Sequence, residues 1–160
     1  MILVLKNLLF TLVVPGTIGV YVPLFLARGR PPASGVVFLF ALALLAIGGI
    51  IYVCCVWDFA VFGRGTPAPI DAPKKLVVRG LYRYTRNPIY VGVLTVLVGW
   101  AVMFRGTTLL IYVFCIGVCF HLFVMLYEER RLEQQFGAEY RDYCEKVGRW
   151  LPRFRRRQAA

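Results

Sequence analysis

The chain has 160 residues, 59% of them hydrophobic and 17% charged. That apolar share exceeds the roughly 45–50% of soluble domains and excludes both an ordinary soluble domain and a disordered chain. The net charge of +11 sits on bases placed between and after apolar runs, which points to an anionic membrane face and not to nucleic acid.

A spanning helix needs about 20 mostly apolar residues. Four runs qualify in chain order: Ile2 to Ala27, Gly35 to Trp57, Pro88 to Phe104, and Thr107 to Tyr127. The first carries Pro15 and Pro23 and is expected to be a kinked helix. Its apolar stretch is too long for the h-region of a signal peptide, so it is read as retained. The fold expected is all-α, a polytopic membrane protein of about four transmembrane helices with a C-terminal interfacial amphipathic helix. Residues 1–160 then form one membrane domain: two N-terminal spans over 1–57, a cytoplasmic linker over 58–87, a transmembrane hairpin over 88–127, and an interfacial helix and tail over 128–160.

Orientation follows the distribution of Lys and Arg. With four spans, sixteen of the nineteen bases share a side with both termini, and only Arg28, Arg30 and Arg105 lie opposite. Both termini are therefore expected in the cytoplasm of a multi-pass cell-membrane protein. Cys54, Cys55, Cys115 and Cys119 fall inside the runs and read as packing residues. Two thiols without convergent His or carboxylate ligands predict no metal site.

The short joint Arg105-Gly106-Thr107 makes the last two spans an antiparallel hairpin. Its two cytoplasmic ends bring together 80–92 and 128–132, segments some forty residues apart in the sequence. Asn87-Pro88 reads as an N-cap followed by proline at the first helical position, and a helix starting there suits a carboxylate or phosphate. Simple helix initiation with basic anchoring is the competing reading. Gly92 permits close approach by a ligand or by another helix.

Glu128 and Glu129, at the predicted end of a span, oppose both the helix dipole and the anionic leaflet. Breaks of that kind tend to mark functional sites. The alternative is a solvated charge cluster, neutralised by Arg130 and Arg131 or carried on a helix that continues into the cytosol. Leu132, Phe136, Tyr140, Tyr143, Val147 and Trp150 then make one apolar stripe at helical spacing. The stripe is expected to lie apolar face down on the membrane, bent at Gly137, roofing the hairpin mouth. His121, seven residues before Glu128, is expected on about the same face. Intramembrane ionisable residues warrant a functional hypothesis, although a neutral, hydrogen-bonded histidine is the plainer reading.

These residues carry a family resemblance. Gly80-Leu81-Tyr82, then Arg86-Asn87-Pro88-Ile89-Tyr90-Val91-Gly92, resembles a motif of the isoprenylcysteine carboxyl methyltransferase and phospholipid methyltransferase group of integral membrane enzymes. Glu128-Glu129-Arg130-Arg131-Leu132, followed by Phe136-Gly137, Tyr140, Tyr143, Arg149 and Pro152, resembles the second motif. The resemblance covers about residues 70 to 154. It implies S-adenosylmethionine as cofactor and methyl transfer to a lipophilic or lipid acceptor at the cytoplasmic face, among membrane lipids. It also implies cofactor-binding positions at Lys74, Lys75, Leu76, Val77, Tyr82, Arg86, Asn87, Pro88, Ile89, Tyr90 and Glu128. Two departures stand out. Asn87 replaces the usual histidine and cannot titrate near neutrality. Val124 replaces the arginine that meets the carboxylate in the prenylcysteine enzymes, which favours an amine, thiol or hydroxyl acceptor.

The chemistry expected is direct displacement at a sulfonium methyl, with Glu129, His121 and Tyr90 as the candidates for catalytic proton transfer. Two rival readings are a membrane reductase of the sterol-reductase type using a nicotinamide cofactor, and a non-catalytic transporter subunit or assembly factor.

Overall fold

Every backbone polar group at bilayer depth must be satisfied within the protein, which favours helices for a chain this apolar. The computed structural model describes residues 9, 11–63 and 75–153, and among them the regular structure is helical, with one isolated bridge, Thr85 to Gly148. Helices α2 (Gly35–Gly63) and α4 (Thr107–Phe136) are long and apolar enough to cross a membrane, while α1 (Thr11–Leu26) and α3 (Pro88–Phe104) are shorter apolar helices. A 3-10 turn at Gly80–Arg83 precedes α3, and α5 (Ala138–Lys146) follows α4.

Proline shapes α1 through a missing donor. Pro23 has no N–H, so the carbonyl four residues back, that of Gly19, loses its helical partner. The Trp100 indole of α3 donates to that carbonyl at 2.8 Å, and the Tyr112 hydroxyl of α4 donates to the Ile18 carbonyl at 3.0 Å. A π-helical turn over Thr17–Tyr21 takes up the distortion between Pro15 and Pro23. The kink expected from the prolines is thus a π turn fastened from outside by two aromatic donors.

Helices α2 and α3 cross at small residues. A Cβ on Gly48 would stand 2.6 Å from the Gly92 carbonyl oxygen, and one on Gly99 would stand 3.0 Å from the Leu45 side chain. Small residues let apolar helices approach this closely where no hydrophobic drive operates between them. Gly92 therefore serves a neighbouring helix, the second of the two roles expected of it. The α3–α4 joint turns through Arg105, whose φ of 45° is left-handed, and the Met103 carbonyl accepts from the Ala33 amide.

Two boundaries and one packing partner differ from the sequence expectation. Helix α2 passes Trp57 and ends in a π turn, Phe59–Gly63. Helix α4 does not stop at Tyr127: a π turn at Val124–Glu128 leads directly into Glu129–Phe136, because no helix breaker intervenes before Gly137. Gly137, at a φ of 52°, supplies the expected bend. Lastly, the tail stripe faces protein. Tyr140, Tyr143 and Val147 are buried together with Leu76, Leu132, Phe136 and Cys144 against them. The stripe's partner is the segment before α3, which sequence periodicity does not distinguish from lipid.

Candidate active site at the α3–α4 mouth

The site grows from two chain segments that cross. The 3-10 turn delivers Thr85, Arg86 and Asn87 to the start of α3, and the tail after α5 runs alongside. The Arg86 amide donates to the Gly148 carbonyl at 2.9 Å, and the Thr85 hydroxyl donates to the Arg149 carbonyl at 2.9 Å. The Asn87 side-chain amide donates to the same Arg149 carbonyl at 3.1 Å. Asn87 is only 5% exposed, so its side chain is a buried strut. Asn87 occupies the N-cap position before Pro88 as expected, but its side chain makes no capping bond to α3; the bond from its Nδ2 to the tail carbonyl turns the amide toward the tail. The Tyr143 hydroxyl completes the seam, donating to the Tyr82 carbonyl at 2.7 Å.

The π turn in α4 separates the roles of the two glutamates. Wider turns of this type recur at functional sites, where they re-aim side chains. Glu128 accepts from the Tyr90 hydroxyl of α3 at 2.7 Å. Glu129 takes other partners: Arg149 binds it through Nε and Nη2, each at 2.8 Å, and Arg86 Nη1 lies 3.1 Å from Oε1. The hydrogen bond to Glu129 raises the Arg149 guanidinium above its ordinary range, so the pair stays ionic. Both oxygens of Glu129 are thereby engaged as acceptors, Oε1 by two guanidinium groups and Oε2 by one.

Tyr82 lies behind this surface. Its ring is buried with Cys55 and Val77 and meets Phe59 edge-on at 5.5 Å. Burial, with Cys55 and then Glu128 nearby, pushes its phenol well above the usual tyrosine range. Its hydroxyl lies against the Cys55 thiol, and among the described residues the buried Arg86 Nε has no hydrogen-bond partner. Arg86 also directs Nη1 at the Cys144 sulfur and, at 3.5 Å, at the Tyr140 hydroxyl. Pro88 is fully buried and Ile89 half-buried at the first turn of α3.

Before the turn, Lys75 is exposed, Leu76 half-buried and Val77 buried; Lys74 lies outside the described residues. His121 is drawn elsewhere. Its Nδ1 accepts from the Trp150 indole at 3.1 Å, and the π turn between it and Glu128 breaks the seven-residue alignment that put them on one face. The structure thus joins Arg86, Asn87, Tyr90, Glu128 and Glu129, and ties His121 to the tail.

Arg149, Trp150 and Thr85 are the members that residue spacing did not single out as site residues. Arg149 belongs to the second motif, but its pairing with Glu129 depends on how the tail folds back after Gly137.

The cluster tests well against a cationic sulfonium cofactor bearing an amino-acid end. Arg86 Nε is a buried donor without an acceptor, the requirement of a carboxylate ligand. Glu128, with only Oε2 bonded to Tyr90, offers an anionic oxygen to an ammonium or hydroxyl group.

Comparison with known proteins agrees in region. Residues 36–139 match the family model described as phospholipid methyltransferase. Two plant proteins, each named "Probable protein-S-isoprenylcysteine O-methyltransferase", from Oryza sativa subsp. indica and subsp. japonica, are 37% identical over 78 residues. That similarity covers 49% of this chain and 41% of each relative, so the chain spans well under two thirds of their length.

Proposed function

The chain belongs to the phospholipid methyltransferase family, and from that premise we propose that it is an integral membrane methyltransferase, dependent on S-adenosylmethionine and acting on a lipophilic acceptor at the cytoplasmic face. The observation that carries this reading is the meeting of Tyr90 with Glu128, the residue next to the Glu129 that Arg86 pairs with. Four spans with both termini inside accord with the charge asymmetry.

Arg86 and Asn87, at the start of α3, would hold the amino-acid end of the cofactor, with Glu128 taking its cationic or hydroxyl groups. Lys75, Leu76, Val77, Tyr82, Pro88, Ile89 and Tyr90 would complete the shell, Tyr82 from behind as a support, together with Lys74, which lies outside the described residues. When bound, the cofactor supplies an already activated methyl group, so alignment is the protein's main task. Glu129 serves as an anchor for Arg86 and Arg149, and His121 as an acceptor for Trp150. The acceptor favoured is an amine, thiol or hydroxyl, since Val124 is fully buried and brings no positive charge to the site.

Calorimetric titration of the purified chain with S-adenosylmethionine tests the reading. Saturable binding is expected, weakened in Glu128→Gln. Absence of binding in the folded wild type, or heat only with a nicotinamide nucleotide, would overturn it.

A further inference from the structure

Helix α1 lies outside the family match, and its packing is uneven. Its π turn is held against α3 and α4 by Trp100 and Tyr112. Nearer the chain start, the Thr11 hydroxyl meets the Tyr52 hydroxyl of α2, at 2.9 Å. Between these attachments lies a cavity of about 300 Å³, walled by Leu12, Pro15 and Gly19 of α1 against Gly49, Tyr52 and Val96. A second cavity, of about 70 Å³, shares Pro15, Tyr52 and Val93 with the first and ends on Tyr90 and Phe120. Among the described residues no charged side chain lines either cavity.

Two glycines keep the larger cavity open. Gly19 is buried, yet a Cβ built on it meets nothing within 4 Å, and the same is true of Gly49 on the opposite wall. Gly48, one residue away, would strike the Gly92 carbonyl. Gly49 is therefore not a helix-contact glycine, and the space over it belongs to the groove. The inner end closes on Tyr90, whose hydroxyl is bonded to Glu128.

We propose that this groove between α1 and α2–α3 holds one hydrocarbon chain of the methyl acceptor, and that Gly19 and Gly49 set the girth of chain admitted. The inference rests on the methyltransferase reading above. Its occupant follows from three features: an apolar, uncharged lining at the depth of apolar helices, continuity with the Tyr90–Glu128 pair, and a volume at the low end for ligand pockets, which suits one chain and not two. The polar head of such a lipid would then lie toward Glu128.

The test uses the full chain in lipid nanodiscs containing a phosphatidylethanolamine with a photoactivatable diazirine midway along one acyl chain. Adducts are expected on Leu12, Pro15 and Val96, falling by about tenfold in Gly49→Leu and in Gly19→Leu, as overfilling a packed site implies. Adducts on the exposed Phe25 and Leu39, and the heat of S-adenosylmethionine binding, should not change. Should a leucine variant fail to purify, Gly49→Ala and Gly19→Ala are expected to lower groove labelling by a smaller factor. Groove labelling that survives these substitutions, or labelling confined to the exposed positions, overturns the proposal. If cofactor binding is intact while labelling ignores the glycines, the groove alone fails. If labelling behaves as expected but no S-adenosylmethionine binds, the lipid site stands and the enzymatic reading falls.

Discussion

Glu129 grips Arg149 through two parallel hydrogen bonds of 2.8 Å, and Arg86 approaches one of the same oxygens at 3.1 Å. A carboxylate shared by two guanidinium groups joins three pieces of chain: the end of α4, the start of α3, and the tail. The fork of Arg149 suits this better than a point charge would, because both carboxylate oxygens are met in one plane. The tail is in this way fixed across the turn that carries Asn87.

Loss of the fork should loosen the whole mouth. Arg149→Ala is expected to lower stability by about 1–3 kcal/mol, the range for hydrogen bonds to charged groups, with solvent access keeping it below a fully buried pair. Arg149→Lys should recover only part, since the charge remains but the bidentate geometry does not. Thermal unfolding in detergent measures both. Equal stability of Arg149→Ala and wild type would contradict the anchoring role.

Tyr90 orients Glu128 and leaves its second oxygen available. Tyr90→Phe is expected to weaken S-adenosylmethionine binding by a few-fold, and Glu128→Gln by about tenfold or more, because the latter removes a charge-assisted partner. Titration calorimetry on the two variants gives the order. A larger loss in Tyr90→Phe than in Glu128→Gln would mean that the tyrosine itself is the principal ligand.

Two adjacent glycines should respond in opposite ways. Gly48→Val forces a side chain into the Gly92 backbone and should cost on the order of 1–3 kcal/mol or more. Gly49→Ala, facing open space, should stay within about 0.5 kcal/mol of wild type. Comparison of melting temperatures distinguishes the helix crossing from the groove wall.

His121 is occupied as an acceptor for Trp150. Its replacement in His121→Gln should therefore destabilise the tail by about 1 kcal/mol while methyl transfer to extracted lipid persists within about tenfold. Complete loss of transfer in a folded His121→Gln variant would return the histidine to the reaction.

Local composition was enough to read the helices, the glycine–proline punctuation and the hairpin, since apolar run length and a three-residue joint leave the chain few choices. The two polar motifs were legible for the same reason: a short hairpin necessarily returns its ends to one side. Partner selection was not. Asn87 bonds the tail without a side-chain cap on α3, Glu129 bridges two arginines, and the stripe from Leu132 to Val147 packs on Leu76. Each outcome depends on a π turn at Val124–Glu128 that periodicity does not announce, and on the path taken after Gly137. A hydrophobic pattern specifies which face is buried without specifying what buries it, and a buried charge takes whichever counter-charge the folded backbone brings within reach.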